Sequence, residues 1–183
     1  MLSRGRPVYE EYMMLELAAV TLGAFQLAVV IGERRARDMG FITARAAADA
    51  AGKPLLVVGG PYGTSRVRRL LQSPAHGHGD VCMDISPLAC GEGHFVLGDV
   101  RDIPFPDGMF GASFCSHVLE HLPTVEACSR AVLELQRVAD EVVVLVPSRW
   151  DLIAWAAPEH RLWVQVTDDG ISARPMRPMR VLR

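Results

Sequence analysis

The chain has 183 residues and a formal net charge of -2. That is enough length for one domain with a buried core, and no basic excess marks a nucleic-acid binder. Lys53 is the single lysine, so the positive charge is nearly all guanidinium. Cys82, Cys90, Cys115 and Cys128 are scattered with no CxxC pair, which predicts free thiols in a reduced, intracellular domain.

In chain order, the first feature is MMLELAAVTLGAFQLAVVI, between Met13 and Ile31. It has about the length of a bilayer-spanning helix, interrupted by Glu16 and Gln26. Apolar residues occupy almost its whole circumference, so a one-faced amphipathic helix describes it less well. The expectation is a membrane anchor, with the Arg cluster of GERRAR holding the rest of the chain on the cytoplasmic side. A helix packed on the domain or on a second copy, in a soluble cytoplasmic protein, is the alternative. A signal peptide is disfavoured, since no small-residue cleavage pattern precedes the arginines. Residues 1–37 are therefore read as an amino-terminal segment, 38–174 as the domain and 175–183 as an Arg/Pro tail.

Residues 34–51 carry good helix formers and end at Gly52-Lys53-Pro54. Leu55 to Val58 then reads as a short, fully buried parallel strand. A glycine-rich turn, GGPYG, and a helix over residues 64–72 follow it. His76 and His78 flank Gly77 in what reads as a solvated loop, and no metal is expected there or elsewhere. Strands are predicted over residues 81–83, 95–97, 112–115 and 141–146, with an amphipathic helix over 124–138. The crossover between residues 86 and 94 leaves room for only a turn or two of helix. Residues 161–166 and 171–174 alternate around Asp168-Asp169-Gly170, a hairpin signal.

Strand, glycine turn, helix, strand ending in an acid is the plan of a doubly wound α/β sheet. Such sheets bind ligands at the carboxyl ends of their strands, near the switch in strand order. Glycines after the first strand allow close backbone approach. Asp84, ending the second strand, suits a ribose, because neighbouring hydroxyls can both donate to one carboxylate. Asp99 in the following acidic loop can accept from an exocyclic amine, and Ser116 leaves room after the fourth strand.

Taken together, residues 55–147 resemble a small class I S-adenosylmethionine-dependent methyltransferase domain. LLVVGGPYG is similar to its first motif, VCMDISP to its second-strand acid and GDVRDIPFPDGMF to its acidic loop. SHVLEHL and ELQRVADEVVVLVP resemble the elements that follow. The resemblance implies a reduced Rossmann-like, mostly parallel sheet, preceded here by a long apolar helix. The family's last strand is antiparallel, and the carboxy-terminal hairpin is expected to complete the sheet. S-adenosyl-L-methionine is the implied cofactor. Gly59, Gly60 and Gly63 would lie against its methionine part, Asp84 with Ile85 at the ribose, Asp99 with Val100 at the adenine, and Ser116 along the pocket. Val57, Pro61 and Gly111 depart from the family pattern, which often has an acid, a glycine and an Asp at these places.

Methyl transfer from a sulfonium needs alignment and exclusion of water more than a chemical group from the protein. A base enters only if the acceptor must lose a proton; His117, His121 and His160 are weak candidates, with Glu120 read as a solvated helix face. No catalytic residue is assigned. The expected activity is a membrane-tethered methyltransferase acting on a small-molecule or lipid acceptor. The alternative, favoured by Val57 and Pro61, is a catalytically degenerate interaction or scaffold protein. A nicotinamide-dependent enzyme is the weaker rival, for want of a G-x-G-x-x-G turn.

Overall fold

A computed structural model of the protein describes residues 8–63, 65–91, 95–167 and 170–176. The tip of the predicted hairpin turn (168–169) and most of the predicted Arg/Pro tail (177–183) lie outside the described residues.

Helix α1, Val8–Ala51, is continuous across the boundary expected at residue 37 and runs about 66 Å at 1.5 Å per residue. Its two halves differ. Side chains at 12–25 are exposed, and an 18-residue window of mean hydropathy 2.0 is wholly unburied, long and apolar enough to cross a membrane. Its later part packs on the sheet: Ala44 and Ala48 are fully buried over Leu55, Val57, Ala112 and Phe114. The packed half is the part read from the sequence as a helix leading into the domain, residues 34–51.

The sheet contains β1 (Leu55–Val58), β2 (Val81–Asp84), β3 (Phe95–Leu97), β4 (Phe110–Ser116) and β5 (Ala139–Leu145), all parallel, in the order β3-β2-β1-β4-β5. Side chains alternate across it. Leu55 and Val57 face α1, while Leu56 and Val58 face α4 (Val125–Val138) and β6 (Leu162–Thr167). Helix α4 buries Cys128, Ala131, Leu135 and Val138, and Thr124 caps it by accepting from the Ala127 N–H. Helices α2 (Arg66–Leu70) and α3 (Pro87–Cys90) are short, and α3 is held to one turn by the tight second crossover between β2 and β3.

Three expectations change. The hairpin of β6 and β7 (Gly170–Pro175) forms its own antiparallel sheet instead of extending the main one. Leu162 and Val164 are drawn into the core on the α4 face, so β6 packs against the sheet rather than bonding to its edge. Cys82 and Cys90 are joined in a disulfide, because α3 folds straight back beneath β2, with the two Cα atoms 5.9 Å apart. Cys115 and Cys128 are free and buried. Finally, His76 is buried rather than solvated, stacked on Phe41 and edge-on to Phe114, and desolvation takes its pKa down to about 4.

Gly111 acquires a reason. A Cβ there would lie 2.8 Å from the Ala48 Cα, so α1 sits on β4 only because this position has no side chain.

Candidate donor pocket and the residues beside it

The order changes direction between β1 and β4, and the loops leaving these strands meet at that point. Gly59 leaves β1 with φ +85, bonded through its N–H to the Met83 carbonyl. A Cβ on Gly59 would fall 2.4 Å from Val118 Cγ2 and 3.1 Å from the Ser116 carbonyl oxygen, so the β1 turn touches the end of β4. A Cβ on Gly60 would sit 2.2 Å from the Ala89 backbone. These two glycines are required by the chain's own close approaches. Gly63, at φ +50, has nothing within 4 Å of its Cβ position and faces open space. Pro61 is fully buried beneath the turn.

Asp84 ends β2 and ties two turns together. Its Oδ2 accepts from the Gly60 N–H and its Oδ1 from the Ser86 N–H, both at 2.8 Å. Each oxygen keeps a lone pair for a further donor. Ile85 beside it is 75 % exposed, an apolar side chain left uncovered at the strand end. The end of β3 adjoins Asp84 through the Gly98 N–H, which donates to the Asp84 carbonyl.

Asp99 is engaged by its own loop. Arg101 grips both carboxylate oxygens and holds the carboxyl below the usual range. Val100 points its side chain into the core, so only its backbone could meet an adenine. The loop is fastened to α4: Arg137 donates to the Ile103 and Phe105 carbonyls and to Asp107, while Glu134 accepts from the Ile103 N–H. Ser116, at the end of β4, is buried with its hydroxyl unpartnered.

The structure therefore brings Gly59, Gly60, Asp84 and Ser116 to one end of the sheet. Asp84 with two free lone pairs, the orphaned Ser116 hydroxyl and the open space at Gly63 fit an adenosyl donor. The closely filled glycine turn fits it less well.

Next to Ser116 lies a cluster that the sequence reading underrated. His117, at φ +55, accepts through Nε2 from an Arg37 N–H of α1 at 2.9 Å. Its Nδ1 then carries the proton in the neutral ring and faces Glu120 Oε1 at 3.4 Å. Glu120, expected on a solvated face, is 2 % exposed, and neither carboxylate oxygen has a hydrogen-bond partner. It is buried because the chain returns forty residues later, where the Arg161 N–H donates to the Glu120 carbonyl and β6 covers it. His160 and His121 meet edge to face, ring centroids 4.8 Å apart. The buried thiols of Cys115 and Cys128 are pushed up by desolvation, with the Glu120 charge adding to it, so neither serves as a nucleophile.

Residues 61–145 match a family model described as a methyltransferase domain. No curated protein matches the chain. The parallel sheet in β3-β2-β1-β4-β5 order agrees with that match, and together they support a class I methyltransferase domain in this part of the chain.

Proposed function

We propose that the protein is an S-adenosylmethionine-dependent methyltransferase tethered to a membrane by the first half of α1, with a lipid or other apolar molecule as acceptor. The observation that carries the activity is the convergence of Asp84 and the unpartnered Ser116 hydroxyl at the switch in strand order, within the matched segment. Asp84 would accept from the ribose hydroxyls, and Ser116 would line the pocket. When bound, the donor supplies an electrophilic methyl group on a sulfonium. The chain's part is to orient the acceptor against it and keep water out.

Support for the tether comes from how α1 meets the domain. Gln26, midway along the apolar run, donates to the Trp150 carbonyl and accepts from the Leu152 N–H. Phe25 meets Trp150 edge-on, and Glu33 accepts from the Ser148 N–H. Around this junction Trp150, Leu152, Ile153 and Trp155 are exposed on and beside α5 (Leu152–Ala156). Exposed tryptophans at the root of an exposed apolar helix suit a membrane–water interface. Fractionation checks it: the full chain should stay with membranes in carbonate and need detergent for release. Release by high salt alone overturns the tether.

A scaffold protein lacking the donor is the second reading, favoured by the filled glycine turn and buried Pro61. Calorimetry with S-adenosylhomocysteine separates the two. Saturable 1:1 binding that weakens in Asp84→Ala supports the enzyme; no binding by the folded chain supports the scaffold.

A further inference from the structure

We propose that Glu120, His121 and His160 form a binding site for a divalent first-row transition-metal cation beside the donor pocket. One ligand-type atom from each of the three lies within 4.8 Å of the others. The carboxylate is the strongest indication. It is almost completely buried and carries no hydrogen bond on either oxygen; among the described residues His117 Nδ1 comes to 3.4 Å from Oε1, and the Arg37 guanidinium is near enough to interact with its charge. A buried carboxylate in that state is costly unless something positive meets it.

The imidazoles are set up for the same ligand. His160 Nδ1 lies 2.9 Å from the Ala154 carbonyl, and His121 Nδ1 lies 3.3 Å from the Glu159 carbonyl. A carbonyl only accepts, so both Nδ1 atoms donate and both Nε2 atoms keep their lone pairs. A backbone carbonyl fixing the far nitrogen is the arrangement that orients a metal-bound histidine. His117 does not join as a ligand, because Arg37 occupies its Nε2; it positions Glu120 instead.

Two imidazoles and one carboxylate select zinc or a neighbouring transition metal over magnesium or calcium. Three protein ligands leave positions open, and the site borders a cavity of about 10 Å³, near the size for one water, lined also by Pro147, Leu162, Trp163 and Met176. His121 is exposed, which supplies an entry path. An open coordination position would take an oxygen of the acceptor, a role that rests on the methyltransferase reading; cation binding itself does not.

The test uses the untagged full chain, stripped with chelator and titrated with Co²⁺ under visible absorption, then with Zn²⁺ in competition. One equivalent should bind with ligand-field bands, and His160→Ala and His121→Ala should each weaken it by roughly 100-fold. His78→Ala should leave it unchanged. His121→Ala removes an exposed side chain and keeps the test decisive even if Glu120→Gln fails to fold. No saturable binding, or binding indifferent to both histidine variants, overturns the site. Cation binding without S-adenosylhomocysteine binding leaves the site standing and sinks the donor reading; the reverse pattern sinks the cation site alone.

Discussion

At the ends of β1 and β2, the Asp84 carboxylate has both oxygens taken up by the chain's own N–H groups, and the glycines beside it are packed against backbone. At the end of β4, Glu120 is more deeply buried and neither oxygen is bonded. The first region is held together whether or not a ligand arrives. The second carries a polar group that the fold itself leaves unsatisfied. A fold tolerates few such groups, and a buried unpaired carboxylate is the most costly of them.

The contrast can be broken most forcefully at Gly60. If the glycine turn serves the chain's own packing, Gly60→Ala should cost about 3 kcal/mol in urea unfolding, since its Cβ has only backbone to meet. Gly63→Ala, with open space but a left-handed φ, should cost about 1 kcal/mol. Equal, small costs for both would mean the turn is not pressed on α3.

His76 sets a background that any pH study of the cluster must subtract. Its pKa falls from 6.5 to about 4 through burial, with Arg37, His78 and Arg68 adding repulsion. The unfolded chain therefore takes up this proton first. Stability from His76 is whole above pH 6.5 and declines as pH drops toward 4, by about 3 kcal/mol in all. His76→Phe should flatten that acid limb; an unaltered limb would assign it to other groups.

Asp84→Ala sharpens the comparison from the donor side. It leaves the Gly60 and Ser86 N–H groups without their acceptor, so stability should fall by about 2 kcal/mol. On the proposed function, S-adenosylhomocysteine affinity should fall by about 1–3 kcal/mol as well. Lost stability with unchanged affinity would make the carboxylate purely structural.

The placing of Gly59, Asp84 and Asp99 at strand ends was legible in the sequence because each follows or ends a short apolar run: LLVV before Gly59, VCMD at Asp84, FVL before Asp99. Period and punctuation place such residues without knowledge of contacts. The continuity of α1 was not legible, since its pattern shifts from apolar all round to Ala/Arg while the backbone runs on. The disulfide escaped because Cys82 and Cys90 pair only once α3 turns back. Glu120 was misread for a related reason. Its burial is made by β6 and the Arg161 N–H, so local polarity predicted solvent where the fold supplies a cover.

Glu120 also allows the smallest and most specific test. Replacing it with Gln removes a charge and keeps the shape. In chelator, where nothing meets the carboxylate, Glu120→Gln should unfold later than the parent chain, by about 1 kcal/mol, because a neutral amide is less costly to bury unpaired. With zinc present at a hundredfold excess over its Kd, the parent chain should gain about 2.7 kcal/mol and the variant little, so the order of stability reverses. A variant less stable than the parent even in chelator would show that the carboxylate already has its partner, in a hydrogen bond from the His117 Nδ1–H. The contrast between the two ends of the sheet would then disappear, since both would be satisfied from within.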